Sequence, residues 1–147
     1  MIYAEYERAK VAHDRALKRL TELTDRKEVL FARTQPGAIR YDRDIVKSSP
    51  DGNKVDDYVI KSEGLDEKIA EAREIAEARE QVLQAREREL RASRQLSDVV
   101  YVEKFLHGQR VHQIASKYHY SESHIFRILA EIQKIRKMIG NDSFDVL

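Results

Sequence analysis

The sequence predicts an all-α protein: a long helical hairpin or coiled coil, followed by a C-terminal group of three helices. Two observations carry this expectation. Glycine and proline are scarce, with five and two copies in 147 residues, and 36% of the chain is charged. Ala, Glu, Arg, Lys and Leu dominate, which favours long helices over strands. Apolar residues also recur three and four apart over most of the chain, the period of a helix face. The expected division is a helical segment over residues 1–95, with a loop at about 34–54, a second domain over residues 96–140, and a frayed tail over 141–147, whose Phe144, Val146 and Leu147 could instead dock on a neighbour.

Residues 2–33 read as one helix. Ile2, Tyr6, Ala9, His13, Ala16, Leu20, Leu23 and Leu30 form a narrow apolar stripe close to a heptad seam, and Glu7, Lys10, Asp14, Lys18 and Glu22 form a charged opposite face. Gln35-Pro36-Gly37 ends that helix, because proline lacks an amide hydrogen and clashes with the preceding turn. Ser48-Ser49-Pro50-Asp51-Gly52-Asn53 is a second turn signal. Between the two, residues 39–46 are partly apolar and can lie extended across the helices. From about residue 55 the helical pattern resumes, with Asp56 or Asp57 serving its first turn. Leu65, Ile69, Ala72, Ala76, Leu83 and Leu90 mark its stripe, which Arg79 and Arg86 interrupt. A helix of ~40 residues is about 60 Å long. It needs a partner helix, either the first one folded back or a second copy of the chain. Arg86, Arg88, Arg91 and Arg94 cluster before the C-terminal domain as secondary phosphate candidates, diluted by Glu87 and Glu89.

The C-terminal domain carries the pattern of a helix-turn-helix, in which two short helices meet at a steep angle across a tight turn. With Val111 as the first of twenty positions, Ile114, Tyr118, Tyr120, Ile125 and Ile128 fill the fourth, eighth, tenth, fifteenth and eighteenth places, where apolar residues are wanted. Ala115 fills the fifth, where the helices approach most closely. The ninth place is commonly glycine with a left-handed backbone; here it is His119, a residue that tolerates positive φ better than branched ones do. Ser121 stands where the second helix begins and can accept from its free amides. Ser121, Glu122, Ser123, Phe126 and Arg127 then fall on the outward N-terminal face, the part that meets base edges in a major groove. Arg127 suits the paired acceptors of guanine, and Phe126 a thymine methyl. Lys117, His124, Lys134, Arg136 and Lys137 are assigned to phosphate, as positioning contacts.

Charge supports this weakly. Residues 1–95 hold 20 Lys/Arg and 20 Asp/Glu, whereas residues 97–139 hold seven and four, with four of the five histidines. His112, His119 and His124 with Glu122 raise the idea of a metal, but no cysteine can assist and the spacing straddles a helix end; no metal and no cofactor are expected. Neither a nucleophile constellation nor a phosphate-cradling glycine loop is present, so an enzyme is not expected. No apolar run is long enough for a signal peptide or a membrane span, and the absence of cysteine fits a reducing cytoplasm.

Leu96-Ser97, Gly108 and the run from Ile114-Ala115-Ser116-Lys117 through Tyr118-His119-Tyr120-Ser121 to Glu122-Ser123-His124-Ile125 resemble region 4 of bacterial sigma factors. Tyr41 followed by Val46-Lys47-Ser48-Ser49-Pro50 and a charged helix is similar to phage late-gene transcriptional regulators of the ArpU/RinA type. The resemblance covers most of the chain. It implies activation of phage structural, packaging or lysis genes, with Ser121, Glu122, Ser123 and Arg127 as recognition positions. The Ser48-Ser49-Pro50 stretch itself reads as a turn, with a contact surface for polymerase or a second subunit as the alternative. The partners expected are double-stranded DNA, a second copy of the chain in a homodimer or higher oligomer, and bacterial RNA polymerase, with no membrane. Two other classes fit less well. A small-terminase-like DNA-packaging protein usually places its DNA module first and forms rings, and a coiled-coil adaptor would hold polymerase without touching DNA.

Overall fold

The expected all-α fold is present. The computed structural model describes residues 1–34 and 52–145, with side chains over 1–33 and 61–141. The described elements are α1 (Ile2–Thr34), α2 (Gly52–Ala92), α3 (Leu96–Tyr101), a π-helical turn (Val102–Leu106), α4 (Val111–Tyr118) and α5 (Glu122–Asp145). None of the described residues lies in a strand. The Ser48-Ser49-Pro50 turn, residues 39–46, the side chains of Asp56, Asp57 and Phe144, and Val146 and Leu147 lie outside the described residues. α2 begins three residues before its expected start, and α5 continues through much of the expected tail.

Two compact units form, one from Met1–Asp14 with Arg79–Leu147 and the other from Arg15–Ala78. The expected boundary at residue 95 therefore falls inside the first unit rather than between two domains. In the Arg15–Ala78 unit, α1 and α2 pack on each other through Leu23, Ile69 and Ala72, with Leu20 and Leu65 beside them. These are residues of the two stripes read from the sequence. The helices close on one another within a single chain, and Lys27 Nζ pairs with Asp66 Oδ1 across them at 2.5 Å.

In the other unit, the first turns of α1 and the end of α2 join α3, α4 and α5 around one core. Tyr3, Tyr6, Leu90, Tyr101, Ile114, Ile125 and Ile132 are among its buried members. Tyr101 sits in an aromatic cluster: its ring stacks on Tyr3 (5.6 Å, 17°), meets Tyr6 edge-on (6.0 Å, 71°) and tilts against Phe105 (5.0 Å). Rings at such spacings add to the stabilisation their area burial supplies.

Among the described residues three carboxylates are buried, Glu7, Asp98 and Glu103, and each is satisfied by partners from another element. Asp98 accepts from the Tyr3 backbone N–H (3.0 Å) and from the Ser93 hydroxyl (2.7 Å). Tyr3 lies in the first turn of α1, whose amides have no partner within the helix. Asp98 thus caps α1 from far along the chain, a carboxylate on the positive end of the helix dipole. Glu7 accepts from the Tyr101 hydroxyl and pairs with Arg136 Nε at 3.1 Å. Its burial, at 6% exposure, corrects the expectation of an outward charged face there. The first turns of α1 are covered by α3 and α5 as well as by α2, so more than one stripe is buried.

Candidate nucleic-acid interface

The turn between α4 and α5 has the geometry that its ninth position implies. His119 is left-handed, at φ 61° and ψ 39°, the only described non-glycine residue with positive φ. The Tyr120 N–H reaches back to the Ala115 carbonyl at 3.0 Å, five residues earlier, which closes the end of α4 in the manner of a Schellman turn. An L-residue held left-handed costs roughly 1–2 kcal/mol, part of which glycine gives back as unfolded-chain entropy. His119 is exposed and packs no core, so His119→Gly is expected to raise stability by about 0.5–1 kcal/mol in urea unfolding. A loss of stability would mean that the imidazole itself holds the turn.

Upstream, the π-helical turn closes with the His107 N–H on the Val102 carbonyl (2.9 Å), five residues back. Gly108 follows at φ 69°, where a side chain would be strained. α4 then starts with half of a capping box, in which Gln113 Oε1 accepts from the Arg110 N–H at 2.9 Å.

α5 starts as expected. The Ser121 hydroxyl oxygen accepts from the His124 N–H at 3.2 Å, three residues on, which is an N-cap bond. Ile125, Ile132 and Ile139 are buried along one side of the helix, with Ile114 and Ala115 of α4 in the same core. That packing turns the opposite side outward. Ser121, Glu122, Ser123, Phe126 and Arg127 are all exposed, Phe126 by 57% despite its apolar ring. Lys134 and Lys137 are exposed too and continue the stripe through Ser123 and Arg127, at spacings of four, seven and three.

The other candidates for phosphate fare differently. His124 is half-buried, and its ring lies 5.2 Å from that of Tyr120. Lys117 is exposed, but its ammonium donates to Glu103 Oε1 at 3.0 Å. Arg136 is half-buried between Glu7 (3.1 Å) and the face of Phe105 (4.4 Å), so its charge is committed to the core of this unit. Of the arginines before the domain, Arg86 pairs with Glu5 and Glu89 and Arg91 with Glu87.

Electrostatics fix the α4 end of the site. Burial works to raise the Glu103 pKa, but hydrogen bonds from Lys117 and from the Tyr118 hydroxyl (2.9 Å) outweigh it and hold the carboxyl below its ordinary range. The same bond to Glu103 raises the Lys117 ammonium. Glu103 therefore stays charged at neutral pH and ties the π-helical turn to the last turn of α4.

Tyr120, at the tenth place, is expected inside, yet it is 44% exposed and shares the α5 N-terminus with His124. Its amphipathic ring and the i,i+4 spacing to a histidine were the available signal. No three His, Asp or Glu side chains gather as a metal-binding group among the described residues, which also contain no helix long and apolar enough to cross a membrane.

Comparison of the chain with protein-family models, with curated proteins and with solved structures returns no match in any of the three.

Proposed function

We propose that this chain is a sequence-specific DNA-binding transcriptional regulator, of the kind a phage or prophage uses to activate late genes, acting in the cytoplasm of the bacterial host. The supporting observation is the exposed N-terminal face of α5: Ser121, Glu122, Ser123, Phe126 and Arg127, presented by a helix that follows a left-handed turn. In this reading the helix enters the major groove. Arg127 hydrogen-bonds a guanine edge, Phe126 meets a thymine methyl, and the short hydroxyls of Ser121 and Ser123 let the backbone come close. Lys134 and Lys137 run along the same face toward phosphate, with Lys117 and His124 at its edge. Arg136 belongs to the framework instead.

The modest positive charge of residues 97–139 makes a single module a loose binder. A homodimer or higher oligomer of the chain would set two modules on two half-sites and raise affinity by linkage. Activation would bring in bacterial RNA polymerase as a further partner.

The test is binding of the full chain to duplexes from its own genetic neighbourhood and to random duplex, across a salt series, beside Arg127→Ala. One fragment is expected to bind preferentially. The variant is expected to lose about 1–3 kcal/mol of that preference, roughly five- to 150-fold, while its salt-dependent background binding persists. Absence of any preferred fragment, with the variant equal to the parent, would refute direct readout and favour the polymerase adaptor.

A further inference from the structure

A second surface lies in the Arg15–Ala78 unit and owes nothing to DNA reading. The last turns of α1 and the turns of α2 facing them enclose an open groove of about 670 Å³. Its floor is apolar, made by Val29, Leu30 and Leu65, with Gly64 between them. Val29, beside this concavity, is 54% exposed.

The rim is basic. Arg26 and Arg33 stand on the α1 side, Lys61 and Lys68 on the α2 side, with Asp25 the one acidic residue in the lining. All four cations are exposed, and no carboxylate among the described residues pairs with them. Lys27, by contrast, is paired with Asp66 nearby.

Gly64 adds an independent observation. Glycine disfavours a helix interior, and among the described residues no close neighbour requires it there. A Cβ built at Gly64 meets no atom within 4 Å, and its backbone φ is not in the left-handed range. Without a side chain, Gly64 leaves this part of the groove floor open.

We infer that this groove docks an acidic amphipathic helix of a partner protein, its apolar stripe on Val29, Leu30 and Leu65 and its carboxylates between the four cations. A third helix laid between two packed helices presents residues three and four apart to such a floor. Nucleic acid fits less well, because the floor offers no polar group to bases or sugar.

The probe is a helical peptide of about 14 residues with leucines three and four apart and glutamates elsewhere. Its counterpart carries lysines in place of the glutamates. Both are titrated by fluorescence anisotropy into the full chain and into Gly64→Met, Gly64→Ala and the double variant Lys61→Glu/Lys68→Glu. Thermal unfolding confirms that each variant folds. The acidic peptide is expected to bind the parent and Gly64→Ala, more weakly as salt rises. Gly64→Met, which fills the floor, and the charge reversal are each expected to weaken it about tenfold or more. The basic peptide is expected not to bind. The inference is overturned if the acidic peptide fails to bind, if it binds Gly64→Met as it binds the parent, or if the basic peptide binds equally well. It is also overturned if the parent self-associates and Gly64→Met is monomeric, since the occupant would then be a second copy.

Discussion

Removing residues 1–9 is expected to abolish the cooperative fold of α3, α4 and α5, although none of those helices is touched by the deletion. The core around Ile114, Ile125 and Ile132 includes Tyr3, Ala4 and Tyr6. Glu7 and the amide of Tyr3 are the partners of Tyr101, Arg136 and Asp98. Truncating one buried aromatic residue costs about 3–5 kcal/mol, and whole domains are stable by only ~5–15 kcal/mol. The deletion removes two such rings and also leaves Asp98, which is fully buried, without its α1 amide. The shortened chain should show weak near-ultraviolet dichroism and rapid amide exchange over residues 111–139. Protection there equal to the parent's would mean that the helix-turn-helix folds by itself and that the α1 contacts are accessory.

Tyr101→Ala is expected to destabilise the Met1–Asp14/Arg79–Leu147 unit by about 3–5 kcal/mol in urea unfolding. Three ring contacts disappear at once, and the Glu7 carboxylate loses its hydroxyl donor. Tyr101→Phe separates the two contributions. It keeps the rings and removes only the hydroxyl, so about 1–3 kcal/mol is expected for the lost hydrogen bond to the buried carboxylate, which keeps Arg136 as a partner. Burial is the main reason the Tyr101 phenol is held well above its ordinary pKa, with the bond to Glu7 adding to it. The hydroxyl therefore remains a donor throughout the range in which the fold is measured. Equal losses in the two variants would place the whole effect in the hydrogen bond and none in the rings.

What was legible in the sequence was local. The two apolar stripes of α1 and α2 follow from helical period, and Leu23, Ile69 and Ala72 do pack together. The helix-turn-helix pattern spans some twenty residues, and within it Ile114, Ala115 and Ile125 are buried, His119 is left-handed and Ser121 caps α5. What escaped depends on pairing across the chain. Tyr3 with Asp98 and Glu7 with Tyr101 are separated by 95 and 94 residues. Periodicity says which face of a helix is apolar, not which element covers it. Glu7 and Arg136 read as surface charges for that reason, yet each neutralises the other in a largely covered site. The π-helical turn has no apolar period of its own to announce it, and Tyr120 is amphipathic enough to suit either side of the surface.

The most direct measurement follows the backbone amide signals of the isotope-labelled full chain while duplex DNA is added. Shifts concentrated at residues 120–127, trailing along α5 toward Lys134 and Lys137, are expected if this helix is the reading element. Shifts confined to other parts of the chain, or none at DNA concentrations where binding is saturated, would contradict the assignment of that face to DNA.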